Sequence, residues 1–460
     1  GSPIIELTGA FFEPELNGDG LRILSGYSTV RGLVINRFRG DGIELSGQGA
    51  NVIQGNFIGL DMSGYLDFGN AGGVRIQNIP NNIIGGTSAA ERNVISGNTY
   101  DGINISGIAA TGNLIQGNYI GTSRDGAADL GNGSHGLRID NADANTIGGT
   151  APGAGNVISG NDYGGLLIYG CNEPRPTGTV VQGNLVGTDA TATIALGNSP
   201  YGVEVHCADD TIIGATAPGA GNVISASTGI GANGAGLTVH SSSGTLVQGN
   251  RIGTDITGTA DLGNNGSGIW ASYSQNTIIG GAALGAGNVV SGNGEHGIDL
   301  YPSNTGTIIQ GNMIGTDVTG TVALGNGKRG ISGSSSASIA IGGTAPGAAN
   351  VISANGWDGV GLYANSPESS SGSVILGNLI GTDITGTITL GNSYDGVDIW
   401  AQNVTVGGTT AGAGNTIAHN GGRGARVLGA TRTGNSIRGN SIHSNGGKGI
   451  ANVNGGNGEL

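Results

Sequence analysis

The residue types that perform acid–base chemistry are concentrated in two groups of this sequence. Two carboxyl groups can act together as general acid and general base in a hydrolysis, whereas a histidine or a tyrosine can act as the base in an elimination or an epimerisation. The first group offers both kinds of side chain. We predict that its catalytic residues are Glu204, His206, Asp210, His240, Asp299 and Tyr301.

An elimination or epimerisation next to a carboxylate also needs a cation that neutralises this carboxylate. The base would be His206, His240 or Tyr301. The cation is less evident in the sequence, and the nearest options are Arg138, Lys328 and Arg329.

The second group combines acids with aromatic rings between residues 357 and 400. Asp358 and Asp395 each precede a glycine that begins a repeat. Two carboxyl groups so close together would raise the pKa of one or attract a cation. The alternative is that these Asp-Gly pairs form ordinary turns, as do the pairs at residues 41–42 and 101–102. We predict that this group binds substrate through Trp357, Tyr363, Asp395, Asp398 and Trp400.

A short glycine-led segment positions both groups. In residues 297–301, Gly-Ile-Asp-Leu-Tyr, a glycine is followed by apolar positions that alternate with positions open to any residue type, which we call free positions. Strict alternation indicates a strand with one buried face, and a long period indicates a solenoid. Fifteen copies, at intervals of 22 to 37 residues, begin at Gly20, Gly42, Gly73, Gly102, Gly136, Gly165, Gly202, Gly236, Gly268, Gly297, Gly330, Gly359, Gly396, Gly424 and Gly449.

With one such strand in each coil, the free positions form columns on an outer face, with neighbours ~4.8 Å apart. After residue 69, eleven of the twelve Tyr and Trp residues lie between two residues before and five residues after a repeat glycine. The buried positions of these strands are aliphatic or small, so the rings should point outward and bind a ligand. Packing on the strand surface is the alternative. The further substrate-binding residues that we predict are Arg138, Tyr169, Trp270, Tyr273 and His296.

The composition supports a solenoid and argues against several other classes of protein. Glycine accounts for 98 of 460 residues without a Gly-X-Y period, so the chain is not a collagen. Aromatic residues make up only 4%, which suits a narrow interior of stacked aliphatic side chains. The net charge of −14 argues against a nucleic-acid partner. No run of eighteen apolar residues predicts a membrane span, and the sequence specifies no oligomeric state.

Recurring Asn and Asp residues are predicted to have structural roles. The Asn residues should form hydrogen-bonded ladders at coil corners, with Asn118, Asn184, Asn250, Asn312 and Asn378 in one column and Asn156, Asn222, Asn288, Asn350 and Asn415 in another. The Asp residues of the Thr-Asp loops, Asp189, Asp255, Asp317 and Asp383, should cap turns. Calcium is the alternative there, but one carboxylate in every second coil is sparse. We predict no metal and no cofactor.

The two cysteines follow the glycines of consecutive repeats, Cys171 by six residues and Cys207 by five. They should therefore lie almost one above the other, within reach of a disulfide, which would fit a secreted protein. Two free buried thiols are the alternative. Residues 172–176 lengthen the adjacent loop, as the wall of a groove would.

Three recurring segments resemble the right-handed parallel β-helix repeat proteins of the pectate-lyase-like superfamily. They are Gly-Asn-Val-Ile-Ser-Gly-Asn at 155–161, Ile-Gln-Gly-Asn-x-Ile-Gly-Thr at 115–122 and 309–316, and the glycine-led strands. The resemblance covers residues 20–450. It implies the fold but not the activity, because the superfamily includes polysaccharide lyases, glycoside hydrolases, uronate epimerases and non-catalytic adhesins. The Asp-Pro-His motif of the alginate epimerases and the Asn-Thr-Asp, Gly-His-Gly and Arg-Ile-Lys motifs of the polygalacturonases are absent from this sequence.

The sequence therefore predicts an all-β fold, a single right-handed parallel β-helix solenoid of about 15 coils over residues 1–460. Residues 1–20 should form an irregular cap or a partial coil, and residues 452–460 a frayed C-terminus. We predict a secreted or cell-surface protein that binds a polysaccharide or oligosaccharide along the outer face of one sheet.

The leading activity is that of a glycoside hydrolase on a neutral or weakly charged glycan, because the protein is acidic. One alternative is a polysaccharide lyase or epimerase that acts on a uronate-containing glycan. The other is a non-catalytic carbohydrate-binding adhesin or cell-surface structural protein.

Overall fold

The computed structural model describes residues 3–10, 18–364 and 371–456, without the side chain of Ala232. The chain divides into two compact units, Gly1–Gly229 and Ile230–Leu460. In each unit a coil contributes one short strand to each of three sheets, called the first, second and third sheet in chain order. All strand pairings within these sheets are parallel.

The strands of the first unit follow one another in a regular order of sheets. The first sheet contains Ile5–Thr8, Leu33–Asn36, Phe57–Ile58, Val94–Ile95, Tyr119–Ile120, Val157–Ile158, Leu185–Val186 and Val223–Ile224. The second sheet contains Leu21–Ile23, Asp41–Ser46, Gly72–Gln77, Ile103–Ser106, His135–Asp140, Gly164–Tyr169 and Val203–His206. The third sheet contains Thr29–Arg31, Val52–Gln54, Ile83–Gly85, Leu114–Gln116, Thr146–Gly148, Val180–Gln182 and Ile212–Gly214.

The second unit begins with a short 3₁₀ helix, Gly231–Gly234, and repeats the same order. Its first sheet contains Arg251–Ile252, Val289–Val290, Met313–Ile314, Val351–Ile352, Leu379–Ile380, Thr416–Ala418 and Ser441–His443. Its second sheet contains Leu237–His240, Ile269–Ser272, Ile298–Leu300, Ile331–Ser334, Val360–Tyr363, Val397–Trp400, Ala425–Leu428 and Ile450–Val453. Its third sheet contains Leu246–Gln248, Ile278–Gly280, Ile308–Gln310, Ala340–Gly342, Val374–Leu376, Thr405–Val406 and Ser436–Ile437.

The second sheet contains the glycine-led strands, and their register is the predicted one. Among the described residues, seven of these strands lie in the first unit and eight in the second. The apolar residue that follows each repeat glycine pairs with its equivalent one coil on, as Ile43 does with Val74 and Ile269 with Ile298. The fold is the predicted right-handed parallel β-helix. The prediction of a single domain stays a prediction.

The two ends of the chain are described only in part. Within the predicted cap, Ile5–Thr8 forms a strand that pairs with Leu33–Asn36. Near the other end, Ile450–Val453 pairs with Ala425–Leu428. Residues 11–17 and 457–460 lie outside the described residues, so irregular structure there stays a prediction.

The interior is a column of stacked aliphatic side chains, as the alternating pattern predicts. Ile95, Ile103, Ile105 and Ile115 come from the three sheets of one coil, and all four are fully buried. Each coil buries the same kind of side chains over those of its neighbours, so apolar burial holds the coils together.

Buried asparagines join the coils at the corner between the third and the first sheet. The amide Nδ2–H and the backbone N–H of Asn156 both donate to Oδ1 of Asn184, over 2.9 and 3.1 Å, and Asn118 donates to Asn156 in the same way. The sequence-based prediction of two columns is therefore wrong in one respect. The two sets alternate along one ladder in each unit, because the two types of coil place their Asn at the same corner.

A second ladder, which the sequence analysis did not identify, occupies the corner between the first and second sheets. In the first unit it runs through Asn70, Asn98, Asn132, Asn161 and Asn198. In the second unit it runs through Asn264, Asn293, Asn326, Asn355, Asn392, Asn420 and Asn445. Both ladders satisfy amide groups that would otherwise be buried without partners.

The Thr-Asp loops cover the outer face of the first sheet. Oδ1 of Asp189 accepts the backbone N–H groups of Thr193 and Ile194, over 3.0 and 2.9 Å, so the predicted turn capping is confirmed. Beneath these loops, the outward side chains of the first sheet, among them Phe57 and Tyr119, pack in a hydrophobic cluster. The described residues contain no helix with the length and apolarity needed to cross a bilayer.

Loss of one ladder amide should destabilise the first unit. Asn156→Ala removes the acceptor of two N–H donors of Asn118 and leaves them buried without a partner. We expect a loss of roughly 2–3 kcal/mol in the free energy of unfolding, measured by urea denaturation. Asn172→Ala, in an exposed loop, is the matched control, and equal stability of the two variants would contradict a stabilising ladder.

Candidate functional site

The outward side chains of the second sheet form, in each unit, what we call the second-sheet face. The pairing of Leu167 with Glu204 and of Tyr169 with His206 confirms the predicted outer columns in the first unit. In the second unit Trp270 pairs with Asp299 and Tyr363 with Trp400. Residues that are 29 to 37 positions apart in the sequence are therefore neighbours on this face.

Most of the aromatic rings predicted to point outward do so. Tyr169, Trp270 and Tyr363 are half-buried, and the exposed rings are Tyr100, Tyr163, Tyr273, Tyr301, Trp357, Tyr394 and Trp400. Tyr201 is an exception, because its side chain is only 6% exposed. It lies over Gly164, where an added Cβ atom would be 2.5 Å from Cε2 of the tyrosine.

A third column consists of the residues immediately before the repeat glycines; the sequence analysis considered His296, Asp358 and Asp395 in it but proposed no site residue from it in the first unit. In the first unit these are Asp19, Asp41, Gly72, Asp101, His135, Gly164 and Tyr201. Asp41 lies inside a strand, so its interpretation as a turn residue is wrong. Asp101 accepts the backbone N–H of His135, one coil on, over 3.1 Å. The sequence did contain a signal for this column, namely the recurrence of Asp before the repeat glycine, but we attributed it to turn formation.

A buried hydrogen-bonded chain runs along this column. His135 is 3% exposed; its Nδ1 lies 3.1 Å from Oδ1 of Asp101 and its Nε2 lies 3.0 Å from the hydroxyl of Tyr201. Burial by itself would raise the pKa of Asp101, but hydrogen bonds from His135, Asn104 and Ser134 outweigh it and lower this pKa to about 2. Asp101 is therefore ionised at every physiological pH.

Two predicted catalytic residues, Glu204 and His206, continue this chain. Burial and the neighbouring carboxylate of Glu204 raise the pKa of Tyr201. Glu204 Oε1 lies 3.3 Å from Nδ1 of His206, and the His206 ring meets the Tyr169 ring edge-on at 5.2 Å between centroids. Both side chains are half-buried.

The other predicted residues of the first unit lie around this pair. Asp210 is exposed, in the turn between the second and third sheets, with a φ angle of 48°. Arg138 Nε donates to Oδ2 of Asp140 over 2.8 Å. Cys171 and Cys207 form the predicted disulfide, with their Cα atoms 4.9 Å apart. It links the coils that carry Tyr169 and His206.

A pocket of about 300 Å³ opens on the second-sheet face of the first unit, and the sequence analysis did not predict it. Its lining includes Asp41, Gly72, Arg75, Tyr100, Asp101 and Asp140. Nη1 of Arg75 lies 3.9 Å from Oδ2 of Asp41. Burial raises the pKa of Asp41 to about 6, against the opposing charge of Arg75 and with a further increase from nearby acids.

In the second unit, His240 lies among aromatic rings. It stacks on Trp270, with 6.1 Å between centroids and 5° between planes, and meets Tyr273 edge-on at 5.6 Å. Its Nδ1 lies 2.7 Å from Oγ of Ser272. Two of the predicted residues, Trp270 and Tyr273, thus contact a third, His240.

Asp299 lies on the next strand, beside a buried histidine and a salt bridge. Burial raises the pKa of Asp299 to about 6, opposed by a hydrogen bond from Ser332. Burial, and then the charges of Arg329 and Lys328, lower the pKa of His296 to about 3, so this ring is neutral at pH 7. Lys328 Nζ donates to Oε1 of Glu295 over 2.8 Å. Tyr301 is exposed.

The acids of the second predicted group are paired with arginines. Asp398, 1% exposed, accepts from Arg426 Nη2 over 2.7 Å and from the hydroxyl of Tyr363 over 2.8 Å. Asp395 Oδ2 lies 3.0 Å from Arg426 Nε, and Trp400 Nε1 donates to Asp398. The Asp398 carboxylate thus holds the Tyr363 and Trp400 side chains in place. Direct contact of Asp395 or Asp398 with a substrate stays a prediction.

One arginine of this cluster lies between two aromatic rings. The Arg329 guanidinium is 4.9 Å from the Trp357 centroid and 4.5 Å from the Tyr363 centroid. Its Nε donates to Oδ2 of Asp358 over 3.0 Å. This arrangement fixes both rings on the second-sheet face.

The pKa of Asp41 should make stability depend on pH. Asp41 ionises at 3.8 in the unfolded chain and at about 6 in the native protein. Its contribution to stability is therefore complete below about pH 4 and is lost as the pH rises through about 6. The difference in melting temperature, wild type minus Asp41→Asn, should fall between these pH values in calorimetry. If the melting temperatures of the two proteins change in parallel with pH, the raised pKa is contradicted.

Removal of Arg426 should leave Asp398 buried without its cation. We expect Arg426→Gln to lower the free energy of unfolding of the second unit by roughly 3 kcal/mol in urea denaturation. Arg438→Gln, at an exposed position, is the control. If both variants unfold at the same urea concentration, the Arg426 pairs do not contribute to stability.

Comparisons with known proteins add little beyond the fold. No family model and no curated protein match the sequence. The chain is similar in structure to the periplasmic alginate epimerase AlgG, with 12% identity, 91% of this chain and 77% of that chain covered, and a TM-score of 0.33. It is also similar to the Dettilon tailspike protein gp208, with 18% identity, 82% and 62% coverage, and a TM-score of 0.36.

A third similar structure is the A-module of the Azotobacter vinelandii mannuronan C-5 epimerase AlgE6, with 11% identity, 95% and 88% coverage, and a TM-score of 0.30. At these identities and TM-scores no activity can be transferred. The strand topology itself shows that the chain is a parallel β-helix repeat protein.

Proposed function

We propose that the protein is a glycoside hydrolase that binds an extended glycan along its second-sheet face. The observation that carries this proposal is the row of exposed aromatic rings above carboxyl groups on this face. Such rings stack on sugar rings, whose C–H faces are apolar. Contiguous exposed rings are uncommon on a soluble protein without a partner.

The charge of the protein favours a neutral or weakly charged glycan. The chain carries a net charge of −14, which would repel a polyanion. Within the second unit, Trp270, Tyr273 and Trp357 offer stacking surfaces to such a ligand, and the exposed Tyr301 offers a hydroxyl group.

Each unit contains a catalytic candidate of its own. In the second unit Asp299, whose pKa burial raises to about 6, would act as general acid, with Tyr301 and His240 on the same face. In the first unit Glu204, beside His206, would act as a carboxylate base, with Asp210 as a further carboxyl group.

The arginine and lysine contacts weaken the case for a lyase or an epimerase. These reactions need a cation that is free to meet the substrate carboxylate. Arg138 is paired with Asp140, Lys328 with Glu295 and Arg329 with Asp358. An uronate would have to break one of these pairs.

A non-catalytic glycan-binding protein is the second candidate, and the cluster around Arg426 favours it. Asp395 and Asp398 are buried and neutralised by arginine, so they support the rings and offer no free carboxylate. Trp357, Tyr363 and Trp400 would then bind glycan without cleaving it. For either function we propose a secreted or cell-surface protein, in keeping with the Cys171–Cys207 disulfide.

Binding and cleavage can be measured on one panel of neutral hexaoses, namely cello-, xylo-, laminari- and chitohexaose with a fluorescent reducing end. We expect wild type to bind and cleave at least one of them. Trp270→Ala should weaken binding about 10-fold or more, because a stacked ring is lost. If Glu204 or Asp299 is the catalytic carboxyl group, its variant, Glu204→Gln or Asp299→Asn, should keep binding and lose cleavage, as chromatography would show.

The control for these variants is Tyr65→Ala, an exposed ring in a loop outside the second-sheet face. Binding without cleavage by wild type would favour the non-catalytic candidate. Absence of binding to every hexaose and to oligogalacturonate would contradict glycan recognition by this face.

A further inference from the structure

We infer that the pocket of the first unit is a glycan-cleaving site in which Asp41 is the general acid and Asp101 the general base. This inference rests on the proposed hydrolase function and assigns it a different pair of residues. Neither aspartate was a candidate in the sequence analysis, and both line the same pocket.

The spacing of the two aspartates suits hydrolysis with inversion. Asp41 pairs with Gly72 in register, and Gly73 N–H, on the same strand, donates to the carbonyl of Asp101. Asp41 and Asp101 therefore occupy the same column two coils apart, which is about 9.6 Å between backbones. Inverting hydrolases hold their carboxyl groups roughly 6.5–9.5 Å apart, so that a water molecule fits beside the sugar.

Gly72 creates the gap between the two acids. A Cβ atom at this position would lie 2.2 Å from Oδ1 of Asp41 and 3.8 Å from the backbone oxygen of Asp101. The Asp41 carboxyl group therefore leans over Gly72, towards Asp101. Any side chain at position 72 would fill the space that a reacting group needs.

The surroundings of the two acids give them opposite protonation states. Burial raises the pKa of Asp41 to about 6, so Asp41 keeps its proton in mildly acidic solution. Hydrogen bonds from His135 and Asn104 outweigh the burial of Asp101 and lower its pKa to about 2. Two carboxyl groups with pKa values driven apart are the arrangement that acid–base hydrolysis requires.

His135 is a positioning residue for the base. Its Nδ1 and its backbone N–H both lie 3.1 Å from Oδ1 of Asp101, while Asn104 Nδ2 donates to Oδ2 over 3.0 Å. The Tyr201 hydroxyl in turn orients the other ring nitrogen of His135. The direction of the Asp101 carboxylate is thus set from both sides.

The rest of the pocket suits a neutral sugar ring. Its volume of about 300 Å³ lies at the lower end of small-molecule sites, roughly 300–1,000 Å³. The exposed ring of Tyr100 offers a stacking surface, and Asn104, Ser106 and Arg75 offer hydrogen bonds to hydroxyl groups.

The reaction is balanced with water as the only co-reactant. The Asp41 carboxyl group donates its proton to the glycosidic oxygen as the bond from C1 to this oxygen breaks. Asp101 takes a proton from a water molecule, whose oxygen forms the new bond to C1 from the opposite face. Asp41 ends ionised and Asp101 protonated, and exchange with solvent restores both.

The test uses the 460-residue chain, the labelled hexaoses described above and three variants: Asp41→Asn, Asp101→Asn and Gly72→Ala. Asp41→Asn and Asp101→Asn should lose cleavage roughly 10²- to 10⁴-fold and keep their affinity for the hexaose, and Gly72→Ala should also lose cleavage. Proton NMR of the fresh product should show an inverted anomeric centre. Cleavage by wild type should decline as the pH rises through about 6, where Asp41 ionises.

Gly18→Ala and Glu91→Gln are the matched controls and should cleave like wild type. Among the described residues, no atom lies within 4 Å of a Cβ added at Gly18, and Glu91 lies in a loop between the third and first sheets, beside Ser88. A second readout needs no substrate: carbon-13 NMR titration should find Asp41 ionising near pH 6 and Asp101 ionised throughout.

The outcomes separate this inference from the proposed function. If wild type cleaves and Asp41→Asn or Asp101→Asn cleaves equally well, the pair is wrong and the hydrolase stands, with Glu204 or Asp299 as the carboxyl group to test. If wild type cleaves none of the hexaoses, both are overturned. Retention of anomeric configuration, or an Asp41 that titrates near pH 4, overturns the pair alone.

Discussion

The in-register parallel pairing of successive coils is the constraint on which the rest of this structure depends. Because each strand hydrogen-bonds to its equivalents in the coils before and after it, a given coil position recurs about 4.8 Å further along the stack. The asparagine ladders hold the corners to the same register, since each amide donates twice to the next one. A slip by one residue would turn every aliphatic side chain outward.

Because of this register, equivalent residues of successive coils form columns. A glycine within a column leaves space into which a neighbouring side chain can extend. Asp41 leans over Gly72 and Tyr201 over Gly164. In the second unit Tyr363 and the side chain of Arg329 occupy the space above Gly361, where an added Cβ atom would be 2.5 Å from the tyrosine ring. A missing side chain at one position therefore leaves space for a large side chain of the same coil or of a neighbouring one. Concave sites arise in this way on an otherwise flat sheet.

The two units use similar residues on this face with different electrostatics. In the first unit Asp41 meets Arg75 only at 3.9 Å, and the pKa of this acid is raised. In the second unit Asp398 is held by Arg426 at 2.7 Å beneath aromatic rings. Loosely compensated acids suit proton transfer, whereas tightly paired acids suit a rigid binding surface. This contrast is the reason to place the Asp41–Asp101 pair in a catalytic role and to consider a binding platform around Asp398.

The sequence alone determined the coil repeat, the aliphatic interior, the outward columns and the disulfide. All four follow from the spacing of residues along the chain, since one strand in each coil converts spacing into position. Cys171 and Cys207 illustrate this, because their offsets from consecutive glycines place them one above the other.

The tertiary structure alone decided which side chains in these columns meet, bend or become buried. Spacing placed Tyr201 on the outer face, but the absence of a side chain at Gly164 lets its ring fold down onto His135. Asn recurs in two sequence contexts, one in each type of coil, so the sequence suggested two columns. In the structure the Asn residues of both types of coil lie at the same corner. The Asp-Gly pairs resembled turns until the strand pairing aligned Asp41, Gly72 and Asp101. Such contacts join residues of different coils, and a pattern read along the chain does not contain them.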